Sequence, residues 1–140
     1  PTALAAARER LGIAPQTAGF VLPLGTTMNM SGTALYEGCV VLFVAQVFGV
    51  DLSFGQQMTL LLLAVLSAVA VAAIPGGSLP LIAGLLATFG IPPEGIGIVL
   101  GIDRLLDMTR TMVNVGSDVV TTTVVDALTR RVGTTEKAAD

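Results

Sequence analysis

The residues with chemical potential cluster near the C-terminal end: Asp103, Arg104, Asp107, Arg110, Asn114 and Asp118. At about 100° per residue in a helix, Asp103, Asp107, Arg110, Asn114 and Asp118 share an arc of about 80°. Thr111 lies at its edge, and Leu105, Met112, Val113, Val119 and Val120 make an apolar opposite face. An acid, a base and an amide on one face suit a zwitterionic organic molecule, and the surplus of acid suits a cation. The structural alternative is an ion-pair ladder, Asp103–Asp107–Arg110, that stabilises a bundle. It accounts for Arg110 near Asp107 but leaves Asn114 and Asp118 without partners. Hydrolytic chemistry is excluded on composition. The chain has no His and one Cys, so Ser-His-Asp, Cys-His and zinc-hydrolase sites cannot form, and no disulfide framework exists. With no nucleophile–base pair, an enzyme is not expected.

The setting of this stripe is a membrane. Of 140 residues, 53% are apolar and 12% charged, about half the charge of an ordinary globular chain, and the mean hydropathy is +0.84. Residues 52–93 carry no charge at all. Ten acids against seven bases give a net charge of −3, so nucleic acid is not an expected partner. The chain starts at Pro1 without an initiator Met or a signal peptide and reads as a piece of a longer protein. No internal repeat or low-complexity segment is visible.

The elements that must position the stripe read as all helical. After a short helix over 3–11, the chain turns apolar from 17 to 48, long enough for a span at about 20 residues per crossing. The polar string from Thr26 to Thr33 falls near its middle. Backbone that breaks a helix at that depth survives only in protein or along a cavity, so 17–48 reads as a discontinuous helix with arms at 17–26 and 32–48. Residues 56–90 read as a re-entrant hairpin: a long arm over 56–74, a Pro75-Gly76-Gly77 tip, and an arm over 78–90 too short to span. The competing reading is two complete spans. Residues 95–131 form the last membrane helix, and 132–140 a solvated, frayed tail. Arg8 and Arg10 precede the first span, and Arg130, Arg131 and Lys137 follow the last, which places both ends in the cytoplasm. The hairpin then enters from the outer side.

Broken backbone exposes carbonyl oxygens suited to Na⁺, and half-helix N-termini suit anionic groups. Broken helix, hairpin and charged helix together predict a binding site at the midplane. A channel is the rival; channels favour rings of like charge or carbonyls, whereas this set is mixed. Met28 and Met30 read as packing residues and Cys39 as filler. Glu37 reads either as an interfacial acid or as a buried protonatable group. Gly76-Gly77 reads as a tight turn or as a close backbone approach to a ligand.

Three blocks resemble one family. Residues 27–37 (TMNMSGTALYE) resemble the broken seventh helix of the dicarboxylate/amino acid:cation symporters, the glutamate transporter family. Residues 74–78 (IPGGS) resemble the tip of their second hairpin, and residues 101–115 (GIDRLLDMTRTMVNV) their eighth helix. The blocks occur in family order and cover about residues 12–130. The resemblance implies a homotrimeric secondary transporter in a plasma membrane, such as a bacterial inner membrane. This chain would be the C-terminal portion of its transport domain, and the first hairpin and scaffold helices would lie elsewhere in the same protein. It implies symport of acidic amino acids, glutamate or aspartate, with sodium ions or protons as coupling ions and no other cofactor. C4-dicarboxylate symport and a non-transporting membrane or channel element are the alternatives.

By the same resemblance, Arg110 pairs with the substrate's side-chain carboxylate, which Thr33 also touches. Asp107 takes its ammonium, Asn114 and Thr111 its main-chain groups, and the backbone from Ile74 through Pro75 and Gly76 to Gly77 closes over it. Asp118, with carbonyls of Gly25, Asn29 and Asn114, binds one sodium ion. Thr27 and Met30, with carbonyls of the hairpin's first arm, line another. Glu37 stands where proton-coupled members carry an acid. Two departures stand out. Ser31 replaces an Asp that many members use in a further sodium site, and 68–73 (AVAVAA) replaces a stretch containing Gly and Thr.

Overall fold

The computed structural model describes residues 1–71 and 76–136, and of 132–136 only the backbone. Among the described residues every regular element is helical. The helices are α1 (Thr2–Glu9), α2 (Pro15–Met28), α3 (Ser31–Val47), α4 (Phe54–Ala70), α5 (Leu79–Thr88), α6 (Ile96–Leu100) and α7 (Asp103–Glu136), with a 3₁₀ turn at Pro93–Gly95 before α6.

Local chemistry sets most of the ends. Pro15 opens α2 at the position where a missing N–H costs nothing. Ser53 and Gln56 form a capping box, so α4 begins at Phe54, two residues before the expected start. α3 and α5 stop in the same way. Gly49 and Gly90 take φ of +67° and +70°, where a side chain would strain the backbone. The next residue's N–H reaches back in each case, Val50 to the Ala45 carbonyl at 2.8 Å and Ile91 to that of Leu86 at 2.9 Å.

The apolar run from Pro15 to Val47 is long and apolar enough to cross a membrane. Its helix is interrupted, but by less than expected: only Asn29 and Met30 leave helical geometry. Pro23 is accommodated inside α2, and the Thr26 hydroxyl donates to its carbonyl at 2.7 Å. The last expected helix is divided. The chain turns at Gly101-Ile102, and α7 then runs to Glu136, so the backbone of 132–136, the described part of the expected tail, is helical. The first arm of the expected hairpin ends at Ala70, and Val71 is extended. Residues 72–75 and 137–140 lie outside the described residues.

The chain divides into two compact units. One comprises residues 1–29 and 115–140. Ala7, Ile13, Ala18 and Leu22 form its core, with Leu4 and Val119 against them. The connection between α1 and α2 is fastened to α7 by polar groups. Asp126 accepts the Ala14 N–H at 3.1 Å and pairs with Arg130 at 2.8 Å, and Arg130 donates to the Gly12 carbonyl at 2.6 Å.

The other unit, residues 30–114, packs α3 against α4 and α5. Its main core joins Val40, Val41 and Val44 of α3 to Leu60, Ile82, Leu86, Ile91 and Val99. Met30, Ala68 and Val71 form a smaller cluster. Polar residues are buried beside this apolar core, and large apolar ones lie on the surface. Thr33, Glu37, Ser78 and Arg110 are inside, while Leu62 of α4 and Leu105 and Met112 of α7 are largely exposed. That surface requires an apolar surrounding.

α3 approaches α7 closely at Gly32. A Cβ there would lie 2.5 Å from the Arg110 carbonyl oxygen and 3.0 Å from the Val113 Cβ. Neither backbone nor a β-branched stem yields readily. Gly32→Ala is therefore expected to destabilise the fold by about 1–3 kcal/mol. Thermal unfolding of the detergent-solubilised variant checks this, and an unchanged midpoint would count against the close approach.

Candidate functional site

In the larger unit the site begins with Arg110. The residue is 9% exposed, so its guanidinium needs partners to remain charged there. Asp107, one turn back on α7, pairs with Nη2. Nη1 donates to the Ser78 hydroxyl at the start of α5. The Tyr36 ring lies under the guanidinium carbon at 5.1 Å from its centroid, within cation–π range. Arg104 is a weak participant, 3.9 Å from Asp107 with its side chain 80% exposed.

Asp103 does not join Arg110 in a ladder. Its carboxylate accepts the Tyr36 hydroxyl at 2.7 Å. The stripe is thus tied to α3 by two connections, one a charge–ring contact and the other a hydrogen bond, both through Tyr36.

Asn114 makes a third. Its Oδ1 accepts the Gly32 N–H at 2.7 Å, and its Nδ2 donates to Thr33 Oγ1 at 3.2 Å. The first turn of a helix has amides without helical partners, and Met30 at the N-cap provides no side-chain bond. Asn114 supplies that cap from a different helix. Thr33, Asn114, Arg110 and Asp107 therefore belong to one unit, each on the side of its helix turned to the others. Thr111 is exposed, and its hydroxyl donates to the Asp107 carbonyl at 2.9 Å within α7.

Glu37 is wholly buried. The Ser67 hydroxyl of α4 donates to Oε2. Oε1 has no hydrogen-bond partner among the described residues. A carboxyl so placed is costly as an unpaired anion.

In the smaller unit Asp118 is 3% exposed. Asn29 Nδ2 donates to its Oδ1 at 3.0 Å and to Ser117 Oγ at 2.9 Å. Gly25 lies against the same carboxylate; a Cβ there would stand 2.5 Å from Oδ1. A cavity of about 240 Å³ is lined by Val21, Leu24, Gly25, Met28, Asn29, Asp118 and Thr121. The Asp118 carboxylate and the Asn29 side-chain oxygen are hard donors of the kind that bind Na⁺, but the wall of this cavity is almost entirely apolar. The Gly25 carbonyl already accepts the Asn29 N–H at 2.8 Å, so it keeps one lone pair rather than the full exposure expected of broken backbone.

Of the other expected residues, Thr27 is exposed in the smaller unit, and Met30 is packed with Ala68 and Val71 in the larger. Gly76, at φ +73°, and Gly77 are half-buried. Ile74 and Pro75 lie outside the described residues. Tyr36, Ser67 and Ser78 enter the site unannounced; each acts on a charged residue of a distant segment, and spacing along one helix carries no signal of that.

A family model described as the sodium:dicarboxylate symporter family matches residues 1–128. The chain belongs to this family. It is a family of transporters, not of enzymes. The chain is 41% identical to the proton/sodium-glutamate symport protein of Bacillus subtilis (strain 168), over 76% of its own length and 25% of that protein's. It is 37% identical to the excitatory amino acid transporter 3 of Mus musculus over 94% of its length and 25% of the relative's. For excitatory amino acid transporter 2 of Homo sapiens the identity is 43%, over 84% and 21%. The chain thus spans about a quarter of the length of these relatives.

In this symporter-family chain, removing the Asn114 side chain leaves the Gly32 amide without an acceptor. Asn114→Ala is expected to cost about 1–3 kcal/mol and to speed hydrogen exchange at the Gly32 amide. Exchange at the parent rate would show that Asn114 is not the cap.

Proposed function

We propose that this chain is the C-terminal portion of the transport domain of a secondary active symporter, which moves glutamate or aspartate across a membrane by alternating access. The observation that carries the reading is Arg110: a buried guanidinium in a symporter-family chain, with a carboxylate, a hydroxyl and an aromatic face around it. A planar fork of donors recognises a carboxylate bidentately. Asp107 beside it supplies the negative charge that an ammonium would seek, and a plain dicarboxylate would gain nothing from that charge. The names of relatives, proton/sodium-glutamate symport protein and excitatory amino acid transporter, support the same substrate class.

In this reading Thr33, Asn114 and Thr111 border the substrate with Arg110 and Asp107. The backbone of 74–77 is the gate of a re-entrant hairpin. Support for the hairpin comes from length: α4 has 17 residues and α5 has 10, about 25 Å and 15 Å at 1.5 Å per residue, both short of a core of about 30 Å. Asp118, Asn29 and Gly25 contribute oxygens to one sodium site. Glu37 is the proton-carrying group if protons couple. The protein would sit in a plasma membrane with both ends of this chain cytoplasmic, and it would work as a homotrimer with its first hairpin and scaffold helices.

Arg110→Cys in the intact transporter should remove binding of acidic substrates, by tenfold to a hundredfold or more, the scale of a charge-assisted hydrogen bond of about 1.5–3 kcal/mol, and should admit neutral amino acids. Radiolabelled uptake checks this; parent-like affinity for glutamate and aspartate would defeat the carboxylate role.

Asp107 decides between amino acids and dicarboxylates. The parent should prefer aspartate to succinate or malate, and Asp107→Ser should lose the preference. Calorimetric titration that gave equal affinity for succinate and aspartate in the parent would turn the assignment to a dicarboxylate carrier.

A further inference from the structure

Ser67 stands inside α4, and its hydroxyl has two acceptors within reach. One is Oε2 of Glu37, on α3. The other is the Ala64 carbonyl, one turn back along α4, at 3.1 Å. A hydroxyl carries one proton, so it serves one acceptor at a time, and its oxygen can also accept. Which acceptor it serves therefore depends on the charge of Glu37.

When Glu37 is ionised, both its oxygens only accept. The Ser67 proton then goes to Oε2 in a charge-assisted bond, and the Ala64 carbonyl is left to its helix. That bond matters, because Glu37 is wholly buried and Oε1 has no hydrogen-bond partner among the described residues. When Glu37 is protonated, its O–H donates to Ser67 Oγ. The Ser67 proton then turns to the Ala64 carbonyl, a local bond that a serine inside a helix readily makes. Carboxyl, hydroxyl and carbonyl now form one continuous chain, in which each bond strengthens the next.

Little else nearby competes for this role. α4 and α5, packed against α3, carry no titratable residue. On α3 itself, Tyr36 is committed to Asp103 and Cys39 is exposed. From α7 the charge that acts on Glu37 is Arg110, which is paired with Asp107.

We propose that Ser67 is a positioning residue for the proton on Glu37. Its hydroxyl reverses direction when the carboxyl gains or loses that proton, and so reports the state of an acid on α3 to α4, the long arm of the hairpin. This rests on the reading of Glu37 as the proton-carrying group.

The test is aspartate affinity against pH in the intact transporter, for the parent, Glu37→Gln, Ser67→Ala and Ser67→Thr. Ser67→Ala takes a charge-assisted bond from the anion but only a neutral one from the acid. The midpoint of the pH dependence should therefore move up by about one unit. Ser67→Thr, which keeps the hydroxyl, should return it to that of the parent. A shift that Thr does not restore overturns the proposal. So does a loss of affinity by the same factor at every pH, because Ser67 would then only support packing. If Glu37→Gln keeps the pH profile of the parent, the reading of Glu37 fails and this inference with it. If Glu37→Gln abolishes the pH dependence while Ser67→Ala leaves the midpoint in place, the inference alone fails.

Discussion

A helix that stops inside an apolar run leaves amides that water cannot reach, and the protein must satisfy them itself. That constraint organises the larger unit. The chain leaves helical geometry at Asn29 and Met30, and α3 starts with no cap of its own. Asn114 provides one, through the Gly32 amide and the Thr33 hydroxyl. The bond requires α3 to lie against α7 at a distance that only glycine allows at position 32. With that contact made, Tyr36, one turn further along α3, comes under Arg110 and onto Asp103. The break in one helix and the polar face of another are parts of a single arrangement.

The charges obey a second constraint. A buried ion is tolerated where its partners are close and complete, and it is expensive otherwise. Arg110 has Asp107, Ser78 and the Tyr36 ring. Asp103 has Tyr36, and Asp118 has Asn29. A ladder of acids along one arginine would have been a purely structural solution, but Asp103 is not in it. Glu37 is the exception, with an oxygen that has no hydrogen-bond partner among the described residues. A fold that keeps such a group inside gains no stability from it.

The face of α7 was legible because helical periodicity needs no knowledge of other segments. Arg110 and Asp118 are buried where Leu105 and Met112 are exposed, as the 100° step requires. Polar residues inside an apolar stretch predict a break over several residues, whereas α2 ends at Met28 and α3 begins at Ser31. Thr26 and Thr27 can remain helical, and the Thr26 hydroxyl serves the Pro23 carbonyl. The Ser53 cap set the start of α4 where apolar patterning alone placed it two residues late. The turn at Gly101-Ile102 and the helix beyond 132 were also missed, since composition there does not fix backbone geometry. Ser78, Ser67 and Tyr36 were invisible as site residues for a different reason. A serine or tyrosine acquires its role from whatever charge the fold brings to it, and those charges come from elsewhere in the chain.

In the proposed reading the intact transporter binds an acidic amino acid together with a coupling cation. Affinity for aspartate in the intact transporter, measured against Na⁺ concentration at two fixed pH values, tests it most directly. Affinity should rise with Na⁺, with protons, or with both, because ligands that favour the same state strengthen each other reciprocally. A dependence on Na⁺ at either pH points to Asp118 and its neighbours; a dependence on pH alone points to Glu37. Aspartate affinity that responds to neither cation would rule out cation-coupled binding.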